Sequence, residues 1–125
     1  MKLNKSKIIN VKNGKNLKIV EPVNIYGVVF GDNCFVGPFT EIQKNVKIGN
    51  NTKIQSHSFI CEMVNIGKNC HISTGTIING GCKIDDNTFI GSGSIVHQNV
   101  QIGKNCIIGA GKIIKKNLPS NSIIK

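Results

Sequence analysis

Arginine and tryptophan are absent from this sequence, and aromatic residues make up only 5% of it. Proteins that read DNA or RNA lean on arginine for forked contacts to bases and phosphates and on aromatic rings for stacking, so no nucleic-acid partner is expected. The basic balance comes from sixteen lysines against six acidic residues, a formal charge of +10. Lys and Asn share A/T-rich codons, which accounts for much of that bias without a polyanionic ligand. Long apolar runs are missing too. The opening MKLNKSKIIN alternates Lys and Asn with aliphatics, unlike the continuous apolar stretch of a secretory signal. Nothing approaches the roughly 20 apolar residues of a spanning helix. A cytoplasmic protein with no membrane span is the expectation. With 39% of 125 residues in the hydrophobic set, a conventional core would be thin, and a repeat is the place to look for order.

What is present is a period of six. Phe30, Val36, Ile42, Ile48, Ile54, Ile60, Ile66, Ile72, Ile78, Ile84, Ile90, Val96, Ile102, Ile108 and Ile114 are fifteen consecutive apolar positions without an insertion. The residues two before them, from Val28, Cys34 and Thr40 to Val100, Cys106 and Lys112, are nearly all small or β-branched. Residues two apart on a strand point the same way, so both sets face inward together. A period of six suits neither an amphipathic helix nor a hairpin sheet, and it predicts an all-β fold, a parallel β-helix. Three hexads close a triangular coil of 18 residues, stacked at about 4.8 Å with no extruded loop. Gly follows the core aliphatic at 31, 37, 49, 67, 91, 103 and 109, where the chain has to turn a corner.

At a spacing of 18, one corner reads Asn33, Asn51, Asn69, Asn87, Asn105, a second Phe39, His57, Gly75, Gly93, Gly111, and a third Asn45, Met63, Gly81, Asn99, Asn117. Asn and Gly tolerate φ > 0, so these columns mark left-handed corners. Phe39, His57 and Met63 are bulky exceptions, and departures of that kind gather where function sits. Before Phe30 the inward pairs Leu17/Ile19 and Val23/Ile25 run one residue out of phase. The division that follows is an N-terminal cap or tail over 1–14 and a β-helix domain over 15–125, with Pro119 and the short IIK terminus ending the repeat.

Cys34, Cys70, Cys82 and Cys106 occupy the small inward position and read as core residues, with Cys61 alone at a corner. His57, His71 and His97 fall in three different columns, so one chain does not gather them round an ion, and no metal is expected.

The segments GDNCFVGPF, KIGNNTKI, NIGKNC and QIGKNCIIGAG resemble the hexapeptide-repeat acyltransferases, over roughly residues 17–124. The resemblance implies a left-handed β-helix, a homotrimer with sites between neighbouring chains, and acetyl-CoA as co-substrate. Residues 31–62 are similar to acetyltransferases acting on amino groups of nucleotide-linked sugars in surface-polysaccharide pathways, in particular the diamino-uronate enzymes. Residues 71–121, with HISTGTIINGG and FIGSGSIVHQNVQIGKNCIIGAGKIIKKNLPSN, are similar to acetyltransferases of the sialic-acid and bacillosamine pathways. Both imply acetyl transfer to a sugar amine or hydroxyl. The diamino-uronate type carries a His-Gly pair and an extruded loop that this chain lacks. Aligned on Ile66 and Gly67, the bacillosamine type's histidine base falls at Glu62.

Acyl transfer from a thioester needs a base for the amine proton, a group that polarises the carbonyl, and a dry groove for the pantetheine arm. Glu62 and His57, five residues apart, are the candidate bases. Asn79 and His97, in one column with Cys61 and Lys115, are candidates to contact the acceptor or the thioester. Gly93 and Gly111 strip side chains from a corner along which a pantetheine arm would lie. The resemblance puts Gly109, Ala110 and Gly111, with Lys115 and Lys116, at the CoA-binding end, where Lys pairs with phosphate as a point charge. Blander readings stand beside these: Glu62 paired with Lys44, glycines that serve turn geometry alone, and a β-helix that binds or scaffolds without catalysis. Transfer to an amine is the expected reaction, with O-acetylation the alternative.

Overall fold

A computed structural model describes residues 6–125. Among them every regular element is a short strand, and the strands pair in parallel. The six-residue pattern is the cause: two extended residues put one side chain in and one out, and the remaining four turn the chain onto the next face.

Three sheets result. The first face stacks Lys7–Ile9, Asn24–Tyr26, Glu41–Ile42, Phe59–Ile60, Ile77–Ile78, Ile95–Val96 and Ile113–Ile114. The second stacks Lys12–Asn13, Val28–Phe30, Val46–Ile48, Asn65–Ile66, Lys83–Ile84 and Gln101–Ile102, and the third Lys18–Ile19, Phe35–Val36, Lys53–Ile54, His71–Ile72, Phe89–Ile90, Ile107–Ile108 and Ile123–Ile124. Inward residues stack on their own kind, Ile42 under Ile60 under Ile78. Ile42, Ile54, Ile60, Ile72, Ile78, Ile90 and Ile108 keep no exposed surface.

The small inward position has a second duty. Thr52 Oγ1 donates to the Gly67 carbonyl at 2.8 Å, Thr88 Oγ1 to Gly103 at 2.9 Å and Ser94 Oγ to Gly109 at 2.8 Å, each 15 residues on. Cysteine does the same: Cys34 Sγ lies 3.1 Å from the Gly49 carbonyl, Cys70 3.1 Å from Asp85 and Cys82 2.9 Å from His97. Among the described residues no buried side-chain nitrogen or oxygen lacks a partner, and all five cysteines are free thiols.

The corner columns are left-handed, Phe39 at φ 60°, His57 at 61° and Met63 at 62° among them. Asn117 is a correction to the third column, since its φ is not positive. The last coil runs at a spacing of 16, and there Asn117 Oδ1 accepts from the Gln101 amide at 2.8 Å instead of making a corner. At the other end the spacing is 17, Lys7 pairing with Asn24 and Asn24 with Glu41, and it becomes 18 where Val28 pairs with Val46. Of the expected cap over 1–14, Lys7–Ile9 and Lys12–Asn13 are strands of the first two faces, and residues 1–5 lie outside the described part.

The seven glycines after core aliphatics are also corrected in their reason. None has positive φ. A Cβ at Gly91 would stand 2.5 Å from the Ala110 nitrogen, and one at Gly37 2.6 Å from that of Ser56, so these two positions admit the backbone of the next coil, whereas at Gly109 the nearest atom would be 3.2 Å away. No helix among the described residues is long and apolar enough to cross a membrane.

Candidate active site

The prism has three edges, and the residues singled out above separate onto two of them. His57, Gly93, Gly109, Ala110 and Gly111 lie on the edge between the third and first faces, because they follow the third-face strands and precede the first-face ones. Glu62, Asn79, His97, Lys115 and Lys116 follow first-face strands and lie on the edge between the first and second faces. Glu62 and His57 bracket the strand Phe59–Ile60 at different corners of one coil, so a single chain does not bring the two candidate bases together.

Glu62 is exposed and, with Met63, Gly80, Gly81, Gln98 and Asn99, lines an open depression of about 290 Å³. The hollow exists because Gly80 and Gly81 take the places one coil above Glu62 and Met63. Asn79 is half-buried, and its Nδ2 donates to the Val96 carbonyl at 2.9 Å. That bond pins the amide and leaves its oxygen to accept. His97, exposed, stands one coil above Asn79, and the exposed Lys115 and Lys116 stand on the next. At about 4.8 Å per coil, the column from Cys61 to Lys115 rises roughly 14 Å.

The other edge is bare in its upper part. Gly75, Gly93 and Gly111 have φ of 73°, 71° and 68°, and a Cβ on Gly93 or Gly111 would meet nothing within 4 Å. Asn serves the same left-handed geometry elsewhere, so the choice of Gly here also removes the side chains. Below it the rings of Phe39 and His57 stand 5.0 Å apart at 31°, both exposed.

Between the two edges runs a feature that stepping along inward positions does not find. The outward residues of the first face are Phe59, Ile77, Ile95 and Ile113 in register, and Ile113 is 57% exposed. Stepping by 18 from Phe59 reads this apolar stripe from sequence.

Burial pushes the Cys61 thiol above its usual range, and Glu41 and Glu62 push it further, the opposite of what activates a thiolate. His71 stacks on Phe89 with centroids 5.3 Å apart, and burial, then Lys53, hold its imidazole below the usual range. His57 and His97 lie on opposite edges, with His71 on the third face. Among the described residues no three His, Cys, Asp or Glu side chains gather to hold a metal ion.

The model of the family described as bacterial transferase hexapeptide (six repeats) matches residues 27–62, 63–98 and 81–116, and that of the hexapeptide repeat of succinyl-transferase matches 45–80. No curated protein matches the sequence. Among solved structures, a hexapeptide transferase family protein from Anaplasma phagocytophilum superposes with a TM-score of 0.84 at 22% identity, over 90% of this chain and 72% of that one. The acetyltransferase domain of PglB from Neisseria gonorrhoeae FA1090 gives 0.78 at 18% identity, over 90% and 53%. A single-residue variant of perosamine N-acetyltransferase from Caulobacter crescentus, in complex with CoA and GDP-perosamine, gives 0.75 at 22% identity, over 90% and 52%. The chain thus spans about half the length of both acetyltransferases, and likeness at these identities is likeness of fold.

Proposed function

The chain belongs to the bacterial hexapeptide-repeat transferases, and from that premise we propose that it moves an acetyl group from acetyl-CoA to an amino group of a nucleotide-linked sugar. The setting is surface-polysaccharide biosynthesis in the cytoplasm, and the working form is a homotrimer with three sites between chains. The observation that carries this reading is the division of the first face: one edge is stripped of side chains at Gly75, Gly93 and Gly111, and the other carries Glu62, Asn79 and His97. Two edges of one chain never meet. Edges of two copies related by a closed rotation do, since a head-to-tail contact joins unlike surfaces. The perosamine N-acetyltransferase of the same fold, which holds CoA and GDP-perosamine, supports the choice of substrates.

In this arrangement the pantetheine arm lies along the open backbone of Gly93 and Gly109–Gly111, and Lys115 and Lys116 meet the phosphates of CoA. The apolar stripe from Phe59 to Ile113 keeps water from the thioester. Glu62, shielded by the neighbouring copy, takes a proton from the substrate ammonium, and the freed nitrogen attacks the thioester carbon. A C–N bond forms, the C–S bond breaks, and CoA leaves as the thiol with one proton. Asn79 and His97 stand beside the reacting groups, where a donor steadies charge on the carbonyl oxygen. His57 is the second candidate for the base, brought in from the opposite edge of the neighbour.

The test is kinetic. Glu62→Gln and His57→Ala are made separately, and kcat and KM for acetyl-CoA are measured. Loss of the base lowers kcat about 100-fold or more with acetyl-CoA affinity kept. Full turnover in both variants would move the chemistry off these two residues.

A further inference from the structure

Every residue with positive φ among the described residues is Asn or Gly, except Phe39, His57 and Met63. A large side chain on that backbone is strained. Phe39 gains little from burial in return, being 56% exposed. Phe39 and His57 follow one another up the same edge with ring centroids 5.0 Å apart, and together they make an aromatic shelf at the foot of the bare glycines. A strained, exposed ring is retained where it meets something other than its own chain.

Two cations stand on the face that leads into the shelf. Lys18, Phe35 and Lys53 form one outward column of the third face. The strands carrying Phe35 and Lys53 run directly into the corners of Phe39 and His57. Two exposed rings tilted 31° against each other leave an outer ring face open, and with ammonium groups on the face that leads into them this suits a nucleotide: the base stacks on the open ring face with little preference for its identity, and the phosphates meet lysine as a point charge.

We propose that the Phe39–His57 shelf binds the nucleotide of the sugar substrate by stacking its base, with Lys18 and Lys53 on its phosphates. This rests on the function proposed above with Glu62 as its base, and gives the acceptor a place on the molecule. The other nucleotide of the reaction is the adenine end of CoA. Gly111 stands four coils above Phe39 on the same edge, a rise of roughly 19 Å, and Lys115 and Lys116 lie at that height on the other edge of the first face, so the shelf serves the acceptor and leaves CoA the upper end.

The experiment uses the full chain and four probes, UMP, GMP, CoA and adenosine 3′,5′-bisphosphate, titrated by NMR while the His57 imidazole is followed. Thermal unfolding and KM for the sugar substrate are measured in parallel for wild type and Phe39→Asn. A nucleoside monophosphate is expected to shift the His57 ring signals, and Phe39→Asn to weaken its binding about 10-fold. The same substitution relieves the strained backbone, so Tm rises by roughly 2–4 °C. A ring kept for structure gives the reverse, a lower Tm and unchanged nucleotide affinity, and overturns the proposal. So does a shift caused by CoA or the bisphosphate alone, or one that follows protein concentration without nucleotide, which would mean a second copy covers the rings. If nucleotide binds as described and no acetyl is transferred, the enzymatic reading fails and the shelf stands. If Phe39→Asn turns over with an unchanged KM for the sugar, the shelf fails and the enzymatic reading stands.

Discussion

Inside the prism a side chain is constrained by its volume and by the carbonyl of the next coil, and cysteine meets both demands at four positions. Burial pushes the Cys70 thiol up, so it stays protonated, and its Sγ lies 3.1 Å from the Asp85 carbonyl. Valine fills the same position at 46, 64 and 100, which shows that the S–H contact is dispensable there. Cys70→Val is expected to cost less than about 1 kcal/mol. Ile66→Asn, at a site 3% exposed, should cost roughly 2 kcal/mol or more, because it removes apolar burial and strands an amide. Urea unfolding of the two variants measures both, and the opposite order would mean that the inward phase is misassigned. His71 gives a pH signature. Its native imidazole is held below the usual range, by burial first and then by Lys53, so the unfolded chain protonates before the folded one. Its contribution is complete above the ordinary histidine value of about 6.5 and is lost as pH falls through that value and below it. Melting curves of wild type and His71→Gln between about pH 7.5 and 5 should show the steeper acid-side loss in the wild type, and parallel curves would contradict the assignment.

At the level of strands and corners, the period of six made the fold legible because each inward position admits only a few residue types. Fifteen bulky apolar residues in phase are hard to read any other way. The seven glycines after them were visible as a set, yet their reason was not, because φ at those positions is ordinary and the demand comes from backbone 18 residues away. Two neighbouring glycines separate the two causes. A Cβ on Gly91 would stand 2.5 Å from a backbone nitrogen of the next coil, whereas one on Gly93 would meet nothing within 4 Å but sits at φ 71°. Gly91→Ala is expected to cost about 2 kcal/mol or more by forcing coils apart, and Gly93→Ala about 1 kcal/mol by left-handed strain alone. Calorimetry on the pair decides it, with equal losses counting against the close approach. Asn117 escaped the column for a related reason: the final coil is two residues shorter, and a change of coil length leaves no mark in composition.

For the whole molecule, the sequence places each candidate residue in a column, but which columns face each other in the homotrimer proposed above depends on the second copy. Glu62 and His57, five residues apart in sequence, stand on opposite edges of the first face. The apolar stripe between them, Ile113 included, is the surface a neighbour would cover. Light scattering should therefore return about three times the 13.5 kDa chain mass, and a monomer would remove the shared site. Acetyl transfer to a nucleotide-linked amino sugar is reported directly by the release of free CoA thiol. Purified protein is mixed with acetyl-CoA and a panel of nucleotide-linked sugars with and without a free amine. Thiol should appear only with an amino sugar, in step with one acetyl amide per thiol. No release above the rate with acetyl-CoA alone, or equal release with sugars that offer only hydroxyls, would contradict it.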